Sequence, residues 1–328
     1  MGVLLCLLAS AGFATLGIFG TLAYQADVGV LTLLTVRFAM AAGGFSLLTF
    51  LVPGARQGMD RRVVLTALGL GCVGYTTQAG LFFGALSHVD VSLLSLLLYT
   101  YPAFVTVAAI ALGRDAATPR RLAALGAASA GVALVLAGGG GGADAVGVAM
   151  GIGAAVAYTT YILVADTVVA DAPPLAFSAV IACGAFATFL VVSLATGSLH
   201  LGFAPIGWLW LAAIAVLSTI VPVLAFFAGL ARVGPSTASI LCTVEPPITV
   251  ALALVVFGQG LGPLQLAGGA LVLSAVVLLQ AGARRPLPVT GDPAADGQLR
   301  AGDEPHAGLD DDGAARGAQP AGVAGAAV

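Results

Sequence analysis

The sequence predicts an all-α polytopic membrane protein, with ten transmembrane helices in two inverted five-helix repeats. Three observations carry that prediction: a scarcity of charge, ten apolar runs of membrane-spanning length, and an internal repeat with an odd number of spans in each copy.

Charge is scarce throughout. Among 328 residues only 12 are basic and 15 acidic, or 8% of the chain, against roughly 25% in a soluble globular domain. Apolar residues make up 59%, and the mean hydropathy is +1.07. A water-soluble fold of this size has too little polar surface here to cover itself. This excludes an ordinary cytosolic enzyme, a nucleic-acid binder and a disulfide-rich secreted module. The four cysteines (Cys6, Cys72, Cys183 and Cys242) all fall inside apolar runs, none forms a CxxC pair, and free thiols are expected.

A helix needs roughly 20 mostly apolar residues to cross a bilayer. Ten segments qualify: 3–23, 31–51, 63–84, 91–112, 120–138, 146–166, 174–195, 206–228, 236–257 and 263–281. Lipid offers the backbone no hydrogen-bond partner, so each continuous run is read as a helix. The run after Met1 lacks a basic n-region and reads as a first span, not a signal peptide. Loops are expected at 25–30, 53–62, 138–145 and 196–205, with Gly138–Gly142 as a flexible hinge.

Orientation rests on the cations. With the N-terminus inside, the inner loops and tail hold Arg56, Arg61, Arg62, Arg114, Arg120, Arg121, Arg232, Arg284, Arg285, Arg300 and Arg316; only Arg37 lies within a span. The outer loops hold Asp27, His88, Asp90, Asp144 and His200, and no Arg. The chain is thus expected in a bacterial inner membrane, multi-pass, with both termini cytoplasmic.

The repeat is visible without gaps at an offset of 144: Phe82-Phe83 matches Phe226-Phe227, Ser92 and Ser95 match Ser236 and Ser239, and Pro102 matches Pro246. The expected organisation is a first repeat over 1–138, a Gly-rich linker over 139–145, a second repeat over 146–282 and a disordered cytoplasmic tail over 283–328. Inverted repeats with a midplane site between them are a common transporter architecture.

The stretch 228–279, containing STASILCTVEPPITVALALVVFG and LQLAGGALVLSAVVLL, resembles the C-terminal part of an EamA domain. Its first-half equivalent reads GALSHVDVSLLSLLLYTYPAFVTVAAIALG. Together, over residues 3–281, they resemble the ten-helix EamA-type transporters of the drug/metabolite transporter (DMT) superfamily. Helix count, Arg37-Phe38 in the second span and the prolines of helices four and nine all agree. The resemblance implies movement of a small organic solute, often outward: an amino acid, a nucleoside, another metabolite or a drug. The family's usual Gly-Glu after helices four and nine reads Gly113-Arg114-Asp115 and Gly258-Gln259 here. No role is therefore carried over for those glutamates.

Polar residues inside spans are the site candidates. Glu245, mid-span, is expected to face the bundle interior or to carry a proton. It reads either as a coupling or substrate group, or as a partner for backbone groups freed by Pro246 and Pro247. Arg37 lies about 10 Å deep at 1.5 Å per residue; it reads as a solute anchor, a partner of Glu245, or a snorkelling or helix-tying cation. Tyr99, Tyr101, Tyr158, Tyr161, Tyr75, Thr76, Thr77 and Gln78 line a cavity on one reading and pack helices through hydroxyl bonds on the other. Pro102, Pro246 and Pro247 mark helix breaks. Trp208 and Trp210 read as interfacial anchors.

Gly69–Gly74 matches GxGxxG literally but lies in a span, so it reads, with Ala123, Ala127 and Gly131, as close helix packing. No phosphate-binding GxxxxGK[ST] motif, Ser/His/Asp cluster or intramembrane His is present, so no cofactor, metal or catalytic role is expected. The expected partners are a small-molecule solute and the lipid bilayer, with no nucleic acid. Secondary transport by proton coupling or exchange, most readily export, is the reading the sequence supports. A non-transporting scaffold or sensor would lack a polar cavity between the halves. A membrane enzyme would need convergent catalytic groups that the body does not offer.

Overall fold

A computed structural model describes residues 1–52, 55, 58–114, 116–138, 144–169 and 172–281. The linker glycines after Gly138 and the tail from 283 lie outside the described residues. Among the described residues, ten helices are long and apolar enough to cross a membrane: α1 (Gly2–Gln25), α2 (Val30–Leu51), α3 (Arg61–Leu86), α4 (Val91–Ala111), α5 (Pro119–Gly138), α6 (Ala145–Ala165), α7 (Pro174–Ala195), α8 (Ile206–Val233), α9 (Thr237–Phe257) and α10 (Pro263–Gln280). No strand occurs among the described residues.

The repeat seen in the sequence returns in the helix boundaries. Val30–Leu51 recurs as Pro174–Ala195, which starts 144 residues after its counterpart. Five spans per copy set the second copy upside down relative to the first. The copies interlock: the most extensive contacts pair α5 with α10, α2 with α7, α1 with α8 and α3 with α6. Close approach through small side chains makes this possible, because lipid tails give helices no hydrophobic reason to associate. A Cβ on Gly131 of α5 would lie 2.7 Å from the Gly268 carbonyl oxygen of α10, and one on Gly268 would lie 2.6 Å from the Gly131 oxygen. The α5 seam is offset by one residue from the expected one. Ala124, Ala128 and Gly131 are buried and Ala123 is exposed, because the contact follows the 3.6-residue turn of α5. In Gly69–Gly74 it is Gly71 that lies against the Ile181 carbonyl, whereas Gly69 meets nothing.

Three spans are broken. α4 consists of Val91–Leu98 and Tyr101–Ala111, and α9, whose helical turn begins two residues before the apolar span, of Pro235–Cys242 and Glu245–Phe257. A proline inside a helix lacks the N–H for residue i−4 and its ring presses on that carbonyl. Pro102 and Pro246 therefore sit as the second residue of each C-terminal half-helix. α1 breaks at Thr15, whose hydroxyl turns back to the Gly12 carbonyl at 2.6 Å and meets Ser218 Oγ at 2.7 Å. α3 and α8 each contain a wide π-helical turn, at Leu70–Tyr75 and Val216–Ile220. Such turns often mark functional positions. Hydroxyls bridge the widened ladder, from Thr76 to Gly71 and from Thr219 to Ile214.

On the face expected to be external, Asp144 caps α6. It accepts from the Val146 N–H at 2.9 Å, and its other oxygen lies 2.7 Å from His88 Nδ1 in the α3–α4 loop. Both contacts, the backbone one foremost, hold its carboxyl below the usual range. A depressed folded-state value stabilises above the ordinary carboxylate pKa, and the gain is lost as pH falls through the folded value. Asp144→Ala is expected to lower the melting temperature of detergent-solubilised protein at pH 7, with the gap to wild type closing below about pH 4. Gly131→Leu is expected to destabilise by about 1–3 kcal/mol through overpacking. Gly126→Ala, on the same helix with open space around it, should leave chemical unfolding in mixed micelles unchanged or slightly strengthened.

Candidate functional site

The breaks and π-helical turns of both repeats converge at mid-depth on a chamber of about 70 Å³. That volume holds on the order of a few waters. Its walls come from α1, α2, α3 and α4 of the first repeat and α6, α8 and α9 of the second.

One wall is cationic. Arg37 is 2% exposed; it does not snorkel. Its Nε donates to Thr219 Oγ1 and its Nη2 to Tyr75 Oη, each at 3.2 Å. The guanidinium carbon lies 5.0 Å from the Phe38 ring centre and 5.4 Å from that of Phe83, distances at which a cation is attracted to a ring face. Tyr75 and Thr219 stand 144 residues apart, so the one arginine is gripped by equivalent positions of the two repeats. The residue equivalent to Arg37 is Ile181, which is fully buried. No carboxylate lies within 4.0 Å of Arg37 among the described residues. Gln78, one turn beyond Tyr75, is buried and also lines the chamber.

The other wall is acidic. Glu245 opens the C-terminal half of α9 and is partly buried. Tyr99 Oη, at the break in α4, lies 2.8 Å from Glu245 Oε2 and 2.9 Å from the Cys242 carbonyl oxygen. Cys242 is four residues before Pro246, so its carbonyl is one that the proline leaves without a helical donor. The phenol of α4, not the Glu245 carboxyl, satisfies it.

Between the walls runs a chain of rings. Centroid separations are 5.8 Å for Tyr99–Tyr101, 4.7 Å for Tyr101–Tyr158, 6.0 Å for Tyr158–Tyr161 and 5.8 Å for Tyr161–Tyr75. These spacings suit edge-to-face and offset aromatic contact. Five of the protein's six tyrosines thus link the group that touches Glu245 to the group that touches Arg37.

Of the residues singled out in the sequence, Arg37, Tyr75, Gln78, Tyr99, Tyr101, Tyr158 and Glu245 line the chamber. Tyr161 is buried behind it. Thr77 is exposed on the outside of the bundle, because a residue between Tyr75 and Gln78 points to another side of the helix. Pro102 and Pro246 are buried at their breaks and Pro247 is exposed. Ser218, Thr219 and the Phe82-Phe83 pair also line the chamber, and sequence reasoning did not select them. Adding the 144-residue offset to Tyr75 would have pointed to Thr219.

An all-helical bundle of two interlocked inverted repeats, with polar groups from both copies facing one chamber between them, has the architecture of a transporter-class membrane protein. The EamA-like transporter family matches residues 1–137 and 145–280, and the chain belongs to that family, within the DMT superfamily. A protein of Archaeoglobus fulgidus described as an uncharacterized transporter is 27% identical over 217 residues, covering 65% of this chain and 75% of that protein. A solved structure described only as a crystal structure of a protein aligns with a TM-score of 0.55 at 20% identity, covering 84% of this chain and 95% of the other; it shares the fold.

Tyr99→Phe is expected to cost about 1–3 kcal/mol, the penalty of a buried carbonyl left unpaired. Chemical unfolding in mixed micelles measures it, and a cost near zero would show that water replaces the hydroxyl.

Proposed function

We propose that this protein is a secondary transporter that moves a small organic solute outward across a bacterial inner membrane by alternating access. Glu245 exchanges the proton that couples or gates the movement. The observation that carries this reading is the chamber itself. Arg37, Tyr75 and Gln78 from one repeat and Ser218, Thr219 and Glu245 from the other line one chamber, which holds both a cation and an acid. A scaffold or sensor has no need to hold a cation and an acid at mid-membrane, where each costs several kcal/mol unless it is used or paired.

The conformer is closed on the side read as external. A polar recess of about 480 Å³ lies there, walled by the α3–α4 and α9–α10 loops and Thr21 of α1. Between recess and chamber, Gly17 lies against Val91, and Gly20 against Leu86 and Phe83, with no room for a Cβ. Separating α1 from α3 and α4 at those glycines would join the two spaces. On the opposite side Gly229 of α8 meets Cys6 of α1 just as closely. α1 is thus packed shut toward both faces, and its break at Thr15 lies between the two closures, which suits rocking of one repeat against the other. The arginine distribution supports cytoplasmic termini.

In proteoliposomes with an imposed pH gradient, Glu245→Gln is expected to flatten the pH dependence of solute flux between about pH 5 and 8 while the protein still inserts and folds. An E245Q variant whose flux keeps the wild-type pH profile removes Glu245 from the coupling role. Labelling of single cysteines placed in the α2–α3 and α6–α7 loops tests the orientation.

A further inference from the structure

We propose that Arg37, Tyr75 and Gln78 form a carboxylate site, and that the solute is a monocarboxylate with an apolar body lying against Phe82 and Phe83. This rests on the carrier reading of the same chamber.

Donors on the cationic wall outnumber their acceptors. A guanidinium has five N–H groups and no acceptor. Arg37 commits one to Thr219 and one to Tyr75, leaving three without a protein acceptor among the described residues. Tyr75 accepts from Arg37 and therefore points its own O–H elsewhere; no acceptor for it occurs among the described residues. Gln78 adds an amide N–H₂ one turn along the same face. All three of these residues line the chamber, so an acceptor that enters it meets uncommitted donors. The acid in the chamber is engaged by Tyr99 from another helix pair and lies more than 4.0 Å from the guanidinium.

Arg37 carries the one positive charge of this wall, whose other groups are neutral hydroxyls, an amide and rings, so that with Glu245 protonated a single negative charge balances the chamber. The planar fork of an arginine fits the two oxygens of a carboxylate. The ring faces of Phe38 and Phe83 keep the guanidinium tolerable while no solute is bound. Repeat symmetry is broken at this wall: Ile181 occupies the equivalent position, so the second copy has no cationic wall and the solute has one orientation.

The test is a melting-temperature screen of the purified full-length protein in detergent at pH 7. The probes are phenylacetate, 3-phenylpropionate and indole-3-acetate, each paired with its neutral amide at matched millimolar concentration. A ligand of the folded form raises the melting temperature by mass action. The acids are expected to raise it and the amides not. Arg37→Gln should abolish the shift, and Gln78→Leu should weaken acid binding by about tenfold, the loss of one hydrogen bond to a charged group. Gln78→Leu also serves if Arg37→Gln does not fold. Amides that shift as much as acids, acids that shift nothing, or a full shift in Arg37→Gln would each overturn the proposal. Acid binding without any flux in proteoliposomes would sink the carrier reading and leave the carboxylate site. Flux indifferent to Arg37→Gln would do the reverse.

Discussion

A guanidinium buried at mid-membrane must be held by the protein, and the hold on Arg37 organises the rest of this molecule. It is made by Tyr75 and Thr219, which occupy the same place in the two repeats. Both lie in π-helical turns, where the helix is widened enough to push a side chain inward and to leave a carbonyl for a neighbouring hydroxyl. The inverted halves are therefore joined at their pseudo-symmetry axis by a residue that breaks the symmetry. An isosteric apolar pair could join them as firmly. A cation does so only by keeping donors in reserve, and those donors belong to the chamber wall.

The acidic side is built on the same economy of freed backbone groups. Proline breaks in α4 and α9 turn two spans into four half-helices and leave carbonyls without donors. Tyr99 covers the one at Cys242 and touches Glu245 with the same hydroxyl. The position of the acid is thus tied to the shape of the break. A change in the shape of either break would change what Glu245 touches. The tyrosine chain running to Tyr75 places the cationic wall within the same packed assembly.

Closure depends on glycine. Gly17, Gly20 and Gly229 let α1 approach its neighbours closely on both sides of the chamber. Such contacts are tight without being adhesive, since they rest on shape and dispersion with no polar bond to break. The α5–α10 pair, which meets through Gly131 and Gly268, lies away from the chamber.

The helix count, the span limits to within a few residues, the repeat and its inverted sense were legible in the residue order, because lipid imposes a length and a hydropathy on every span and allows the backbone no alternative. Arg37, Glu245 and the tyrosines stood out for the same reason: a polar group in such a run is conspicuous. Which of them meet was not legible. Thr77 points outward while Gln78 points in, Tyr161 backs the chamber without lining it, and Thr219 gave no signal as one hydroxyl among many. The α1 break at Thr15 and the π-helical turn of α3 have no proline within them to announce them, and the turn of α8 ends just before Pro222. They are held by hydroxyls and carbonyls on helices more than 100 residues apart in sequence, such as Thr15 with Ser218. A linear pattern records how each helix meets lipid; the contacts between helices, which locate the chamber and decide which polar groups share it, exist only once the two repeats have interlocked.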